Sequence, residues 1–310
     1  PDAHVFLIGD QPGYWNVSKG NPRHALDYVA HLDVDALAIL GPFCRPEMTG
    51  IIGNALEKLH AKGTKILMLA MGMMAYDPDT IELTRSLLRK TPPMVMTTRD
   101  TPTHEHFGDL AEHSYDGIDV ATFVSDLFPP VPTDLPPYAV LNFDQIPEPQ
   151  FMPAEGQSAK KGDRRFEWAG REWIARQPKF RTEMSYKSRA FPFLDAWMPR
   201  ANAPDTIDQL EVIRTDHRYN PFLPRKSYAN PRSYAGDVPQ SYLNLYANTT
   251  VTFSNRVHAC VATASYGHPA MLFTRSPRAY LLDRLGLDGI RERPVALDVE
   301  RLAQEKQDLI

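Results

Sequence analysis

The chain has 310 residues, 43% of them hydrophobic, with a formal net charge of −4 and a pI near 6.2, as in globular proteins of one or two domains. This balance excludes the basic surface of a general nucleic-acid binder, and no apolar run reaches the roughly 18 residues that cross a membrane. The two cysteines, Cys44 and Cys260, predict neither a disulfide framework nor a zinc site, so we expect a reducing, cytoplasmic location.

Strands alternate with helices along the first part of the chain. We predict helices that follow these strands at residues 22–32, 46–61, 79–89 and 102–111. The strands themselves are predicted at residues 4–9, 35–41, 64–71 and 94–98. This alternation predicts a mostly parallel sheet covered by helices on both faces, as in a doubly wound α/β domain.

A proline-rich stretch marks the boundary between two predicted domains. We place the first domain at residues 1–130, the linker at 131–137 and the second domain at 138–310. The second domain continues the same pattern, with strands at 138–143, 210–215, 250–253 and 270–274 and helices at 240–248, 256–266 and 277–285. We therefore expect two doubly wound Rossmann-like domains that face a cleft, since sites in such sheets lie at the carboxyl ends of the strands.

A long insertion at residues 147–208 interleaves basic and aromatic residues. Its pattern leaves two interpretations open. It is either a connection with some helix and a solvated charged face, or a lid or acceptor platform. In the second case, aromatic rings would stack on sugars and basic groups would meet anions.

The most informative stretch begins at Ser254 and Asn255, which suit a helix cap at the end of an apolar strand. Arg256 and His258 are therefore predicted in the first turn of a helix. The positive end of a helix dipole attracts anions, so cationic or protonatable groups placed there oppose the dipole and cost stability. With Arg278 of the next βα unit, they predict a pocket for a small, highly charged anion. The alternative is that Arg256 pairs with an acid and His258 caps a turn.

These residues also carry a family resemblance. Residues 242–287 resemble the C-terminal motif of the polysaccharide pyruvyltransferases, which are similar in architecture to GT-B glycosyltransferases. The matching stretches are Arg256-Val257-His258-Ala259, Gly267-His268-Pro269, Met271-Leu272-Phe273 and Pro277-Arg278, with Arg278 where most members have lysine. The N-terminal half is similar to the family at residues 95–103 and 119–123 and, more loosely, around Asn16.

The resemblance implies a transferase that takes phosphoenolpyruvate as donor and builds a pyruvate ketal across two hydroxyls of a glycan sugar. It implies no metal and no cofactor besides the donor substrate. His258 would donate the proton, and the groups implied to bind the donor are Arg99, Arg256, Arg278 and Asn255. The residues we consider for the acceptor are Asn16, His217 and Asp119.

Several of these assignments have simpler alternatives. Arg99 could form a local ion pair at a helix start, Asp100 could be that helix's N-cap, and Asp119 could be structural. His217 ends a strand and could bind the acceptor or act as its base, or it could be a turn histidine held by the backbone.

The chain as a whole also has rival functions. It could be a GT-B glycosyltransferase that uses a nucleotide sugar, or a glycan-binding homologue that has lost catalysis. We expect the acceptor to be an oligosaccharide, a polysaccharide or a lipid-linked precursor of a cell-surface glycan. Contact with the inner face of the membrane and homo-oligomerisation stay open.

Overall fold

The computed structural model describes residues 4–5, 28–41, 51–143, 146, 148–177, 205–216, 232–236 and 238–308. The chain forms two compact units. The first unit is Pro1–Asp119 with Ser276–Arg284, and the second unit is Val120–Arg275 with Leu285–Ile310. Most of the predicted strand at 4–9, most of the predicted helix at 22–32 and the start of the helix predicted at 46–61 lie outside the described residues.

The elements of both units are numbered in chain order. The strands are β1 Ala36–Leu40, β2 Lys65–Met71, β3 Val95–Thr98, β4 His113–Asp116, β5 Tyr138–Asn142, β6 Gln150–Pro153, β7 Arg164–Trp168, β8 Arg171–Arg176, β9 Thr206–Ile207, β10 Leu210–Asp216, β11 Ser233–Ala235, β12 Val251–Ser254 and β13 Ala270–Leu272. The helices are α1 Ile51–Ala61, α2 Pro78–Lys90, α3 Thr101–Phe107, α4 Val124–Leu127, α5 Pro239–Ala247, α6 Val257–Ser265, α7 Tyr280–Arg284 and α8 Val299–Gln307.

The sheet of the first unit is parallel. Its described strands lie in the order β1-β2-β3-β4, and each pairs in parallel with the next. Helix α2 begins sharply because the Asp77 side chain accepts a hydrogen bond from the Thr80 N–H and Pro78 occupies the first turn. Apolar side chains of the strands and helices form one buried core, which includes Leu56, Met68, Leu88, Met96 and Phe107.

The central sheet of the second unit places its strands in the order β11-β10-β5-β12-β13, all parallel, and β9 adds an antiparallel strand to β10. Counted along the chain within these five parallel strands, the order is 3-2-1-4-5, which is the order in Rossmann-type sheets. The direction of strand addition reverses between β5 and β12. Ser254 pairs in register with Asn142, so these two strands end level with each other.

Two cores cover the faces of this central sheet. Helices α5 and α6 pack on one face through residues such as Val140, Ile213, Tyr246 and Ala259. The other face packs against a second, smaller sheet through buried rings, which include Phe151, Phe166, Trp173, Phe253 and Phe273. The second unit is therefore layered as helices, parallel sheet and small sheet.

The small sheet is a feature of the insertion at 147–208 that neither interpretation of its sequence included. The described part of the insertion contains a three-stranded antiparallel sheet in the order β6-β8-β7. Ala169 and Gly170 both have positive φ, 52° and 76°, and form the two-residue turn between β7 and β8. Such a turn suits the twist of a hairpin. Along β7, the apolar residues Phe166 and Trp168 alternate with charged residues. This period of two is typical of a strand and is the sequence signal that was missed.

The molecule is thus a mixed α/β protein with parallel sheets. The compact units begin and end at different residues from the predicted domains, because residues 120–130 belong to the second unit and Ser276–Arg284 to the first. The cleft between two Rossmann-like domains stays a prediction. No helix in the described part of the chain is long and apolar enough to cross a membrane.

Candidate functional site

The strongest candidate site in the second unit lies where β5 and β12 end. Ligands of doubly wound sheets bind where the strand order reverses, just beyond the carboxyl ends of the strands. Here that position holds Asn142 at the end of β5, and Ser254 and Asn255 at the end of β12. All three are buried. Polar groups that are buried at the carboxyl edge of a sheet point to binding more than to packing, which apolar residues would do better.

A short turn joins β12 to helix α6. The Ser254 Oγ accepts a hydrogen bond from the Arg256 N–H at 2.8 Å and donates to the Asn142 carbonyl oxygen at 3.0 Å. The helix begins at Val257, so Arg256 is its N-cap, with extended backbone and no side-chain cap bond. The sequence predicts Arg256 one position further along, inside the first turn, so this prediction is off by one residue.

His258 lies in the first turn of α6, as predicted, and is half-buried. The helix is anchored on the strand that precedes it, because the Thr263 and Thr252 hydroxyls are hydrogen-bonded at 2.8 Å. Small residues of α6 lie fully buried against the sheet, and they include Ala259, Cys260 and Ala264. This packing fixes the position of His258 relative to the ends of the strands.

Arg256 also affects its surroundings electrostatically. Burial raises the pKa of the Tyr242 hydroxyl, and the positive charge of Arg256 opposes that rise by favouring the phenolate. The Arg256 guanidinium therefore lies close enough to α5 to affect the ionisation of Tyr242. It contributes positive potential to the same edge of the sheet as the N-terminus of α6.

A second group of predicted residues lies in the first unit, where β3 ends. Arg99 is only 1% exposed, and its Nη1 donates to the Asp119 Oδ2 at 3.0 Å. The structure thus brings together two residues that the sequence assigned to donor and acceptor binding. Asp100 is the N-cap of α3, as the alternative interpretation held, and accepts from the Thr103 N–H at 2.9 Å and from the Tyr76 hydroxyl at 2.6 Å.

Arg278 belongs to the first unit, in a 3-10 turn that leads into α7. The Ser276 hydroxyl oxygen accepts a hydrogen bond from the Arg278 N–H at 3.3 Å and so orders the turn. The rings of Tyr280 and Tyr76 pack edge to face with centroids 5.5 Å apart, which attaches the segment to the rest of the first unit. Arg278 is half-buried.

The predicted site residues therefore fall into two groups. Arg99, Asp119 and Arg278 belong to the first unit, whereas the second unit contains Asn255, Arg256 and His258. Whether one donor molecule binds both groups stays a prediction. Asn16 and His217 lie outside the described residues. No cluster of three or more His, Cys, Asp or Glu side chains that could hold a metal occurs among the residues described.

Sequence reasoning missed one polar residue of the second unit. The Asn142 Nδ2 donates to the Tyr246 hydroxyl at 2.9 Å, while its buried Oδ1 has no hydrogen-bond partner among the described residues. A buried amide oxygen without a donor is costly, so it is expected to meet a water or a ligand group. The signal was an asparagine at the end of an otherwise apolar strand.

A basic residue of the insertion also reaches this edge of the sheet. The Arg164 Nη1 donates to the Leu272 carbonyl oxygen at 3.1 Å, and its guanidinium lies 5.0 Å from the centre of the Phe273 ring. Burial lowers the pKa of Arg164, and the charge of Arg275 lowers it further. Two cations thus lie near the end of β13, and an encounter of the insertion's basic groups with anions stays a prediction.

Comparison with known proteins agrees with the motif that the sequence displays. The model of the family described as polysaccharide pyruvyl transferase matches residues 35–277, which is most of the chain. No curated protein matches the chain. Among solved structures, S. aureus MnaA, determined as a co-structure with UDP, is similar with a TM-score of 0.49 and 11% identity, over 99% of this chain and 72% of that one.

The chain belongs to the polysaccharide pyruvyl transferase family. It is an enzyme, a pyruvyltransferase, and the family implies a glycan as its acceptor. The resemblance seen in the sequence is thereby confirmed at the level of the family.

Proposed function

We propose that the protein takes phosphoenolpyruvate as donor and forms a pyruvate ketal on two hydroxyls of a glycan sugar, with release of phosphate. The observation that carries this proposal is the position of His258. It lies half-buried in the first turn of α6, just beyond the point where the strand order of the second unit reverses. A protonatable ring beside a helix N-terminus suits a reaction that protonates an anionic substrate.

The chemistry requires one proton donor and several anion-binding groups. A proton adds to the methylene carbon of the donor, which leaves an oxocarbenium-like centre at C2. The first sugar hydroxyl forms a bond to C2 and loses its proton. The bond between C2 and the phosphate oxygen then breaks, the second hydroxyl attacks C2, and its proton leaves. The products are a ketal with a new methyl group and free phosphate.

We assign the proton donation to His258, because it is the protonatable side chain of the α6 N-terminus. Arg256, Asn255 and the N-terminus of α6 offer donors and positive potential for the phosphate or the carboxylate. Arg278 and Arg99 are proposed as further cationic contacts to the donor. Those cations that contact the phosphate would stabilise the charge that develops on it as it leaves. The fork of Arg278 gives planar contacts where a lysine would give a point charge.

The acceptor is proposed to meet residues of both units. Asp119 is proposed as an acceptor residue from the sequence, and in the structure it is buried and held by Arg99. Asn142 is a better candidate for a sugar hydroxyl, because its buried Oδ1 can accept a hydrogen bond. Asn16 and His217 remain proposals from the sequence.

Incubation with phosphoenolpyruvate and a panel of galactosides, glucosides and mannosides tests the proposal. Phosphate release that is coupled to an added pyruvyl mass on one acceptor would support it. Thermal-shift measurements separate the rival function. Stabilisation by phosphoenolpyruvate but not by nucleotide sugars is expected, whereas the reverse pattern would favour a glycosyltransferase that uses a nucleotide sugar.

A further inference from the structure

Arg99 has buried hydrogen-bond donors that the protein itself does not satisfy. Its Nη1 is bound by Asp119 at 3.0 Å, but Nε and Nη2 have no hydrogen-bond partner among the described residues, although both are shielded from solvent. Burying a charged donor without an acceptor is costly. A group beyond the described residues is therefore expected to accept from these two atoms.

Arg214 in the second unit shows how the Nε and Nη2 atoms of an arginine bind when an acceptor is present. The Arg214 Nε and Nη2 donate to the two carboxylate oxygens of Glu148, each at 2.8 Å. The same two atoms form a planar fork that matches a carboxylate. In Arg99 this fork is the part that has no partner.

Gly72 is the residue that allows Arg99 to lie where it does. A Cβ built on Gly72 would come within 3.0 Å of both Cζ and Nη2 of Arg99 and still closer to Nε. Real Cβ atoms do not approach other atoms so closely. A side chain at position 72 would therefore require the Arg99 guanidinium to move.

The backbone beside Gly72 is shaped to support this approach. Ala70 has a left-handed φ of 53°, and the pairing of β2 with β3 shifts its register between Met68 and Met71. The Ala70 N–H donates to the Thr97 Oγ1 at 2.9 Å, and the Arg99 N–H donates to the Met71 carbonyl oxygen at 3.0 Å. Left-handed backbone at a non-glycine residue is costly and is concentrated at functional sites.

The charge of the pair indicates which kind of anion would bind. The negative charge of Asp119 offsets the positive charge of Arg99, so the pair is formally neutral, and it binds chiefly through directed hydrogen bonds. A phosphate monoester carries about −1.5 to −2 charges at neutral pH, whereas a carboxylate carries one and is planar. The carboxylate is the better match to a planar fork whose charge is already offset.

We propose that Arg99 is the carboxylate receptor of the donor and that Gly72 and Asp119 are the residues that position it. This inference rests on the proposed function and assigns one part of the donor to one residue. Asp119 holds Nη1, Gly72 leaves room for the guanidinium, and Nε with Nη2 donate to the carboxylate. The phosphate is left to the other cations.

Isothermal calorimetry on the full chain tests this assignment with three probes, namely phosphoenolpyruvate, pyruvate and inorganic phosphate. Gly72→Ala and Arg99→Lys should each weaken the binding of phosphoenolpyruvate and of pyruvate by about tenfold or more, because each variant loses a charge-assisted hydrogen bond to the carboxylate. Phosphate affinity should be unchanged. In turnover assays, Gly72→Ala should raise KM for the donor more than it lowers kcat, because the position of Arg99 changes and the proton donor does not.

Matched controls exist for both variants. Gly289→Ala adds a Cβ that meets only ordinary contacts of 3.7 Å or more, and Arg89→Lys changes an exposed arginine that pairs with Glu82. Both controls should bind every probe as the unchanged protein does. Circular dichroism verifies that each variant is folded, and Arg99→Lys tests the inference if Gly72→Ala does not fold.

Three results would overturn the inference: unaltered carboxylate affinity in folded variants, loss of phosphate affinity in place of carboxylate affinity, or no pyruvate binding by the unchanged protein. The proposed function fails separately. If no acceptor gains a pyruvyl group while the binding pattern holds, the carboxylate receptor stands without that reaction. If transfer proceeds and Arg99→Lys binds pyruvate normally, only this inference fails.

Discussion

Ser254 and Arg256 are joined by a hydrogen bond from the Arg256 N–H to the Ser254 Oγ, 2.8 Å long, and this bond sets the point at which strand β12 becomes helix α6. The same hydroxyl donates to the Asn142 carbonyl oxygen of the neighbouring strand. One side chain thus links both strands at the reversal of strand order with the helix that presents His258. The position of the proposed proton donor depends on it.

Replacing this hydroxyl should affect stability and catalysis together. Ser254→Ala removes the buried hydroxyl that accepts from the Arg256 N–H and donates to the Asn142 carbonyl oxygen, which should lower the free energy of unfolding by about 1–3 kcal/mol. It should also reduce kcat, because the first turn of α6 is no longer fixed. Urea unfolding and donor-saturated turnover measure the two effects.

Ser265→Ala is the matched control for that variant. Its hydroxyl is also buried, but it donates to the Ala262 carbonyl oxygen at the other end of α6. This control should lose stability without losing kcat. Equal turnover in Ser254→Ala and Ser265→Ala would contradict the role given to Ser254.

His258→Gln should abolish most turnover and leave donor binding nearly intact. General acid catalysis contributes about 10²–10⁴-fold, so kcat should fall by that factor if His258 protonates the donor. The measurement is phosphate release at saturating donor, with affinity followed by calorimetry. His268→Gln serves as the control, because this histidine of the same unit contacts the Ala247 carbonyl oxygen at 3.0 Å. Normal turnover in His258→Gln would reject the assignment.

The buried parallel strands were the easiest elements to predict. Residues 250–253 were expected as a strand and Val251–Ser254 forms one, and the strand expected at 94–98 is Val95–Thr98. Continuous apolar runs that end at polar capping residues carry this information locally. The first turn that contains His258 followed from the same local signals.

Elements and contacts that depend on distant partners were not predictable. Strand β4, His113–Asp116, has no apolar alternation, because it pairs only with β3 at the edge of the described sheet. The Arg99–Asp119 pair joins residues that are 20 positions apart, and nothing local marks them as partners. The role of Gly72 becomes visible only when the position of the Arg99 guanidinium is known.

Asp163 should give the protein a measurable dependence of stability on acid. Two hydrogen bonds from Arg176, with Nη2 to Oδ2 at 2.7 Å, hold the pKa of Asp163 at about 2, below its ordinary 3.8, despite burial. The folded state favours the ionised form, so this stabilisation is present above pH 3.8 and is lost as the pH falls through about 2.

Asp163→Asn should therefore lower the free energy of unfolding by about 1–2 kcal/mol at pH 7, and the difference should shrink as the pH approaches 2. Urea denaturation at a series of pH values measures it. Glu82→Gln, which alters an exposed ion pair with Arg89, should change little at any pH. A difference that grows towards low pH would contradict the argument.

Cys260 should be chemically inert in the folded protein. Its side chain is fully buried in α6, and burial raises the pKa of the thiol well above its ordinary value. Because the thiolate is the reactive form, a Cys44→Ser variant should not react with a thiol reagent at pH 8 until denaturant is added. The absorbance of the released chromophore follows the reaction. Rapid labelling of the native variant would show that α6 opens readily.

The assignment of Ser276–Arg284 to the first unit bears on any attempt to divide the protein. The chain passes from one unit to the other at 119/120, 275/276 and 284/285, which makes three crossings. A fragment that stops in the proline-rich stretch at 131–137 would lack the segment whose Tyr280 packs on Tyr76. Neither half is thus encoded by one continuous stretch of sequence. To produce the first unit alone, residues 276–284 would have to be connected to residues 1–119 through an engineered linker.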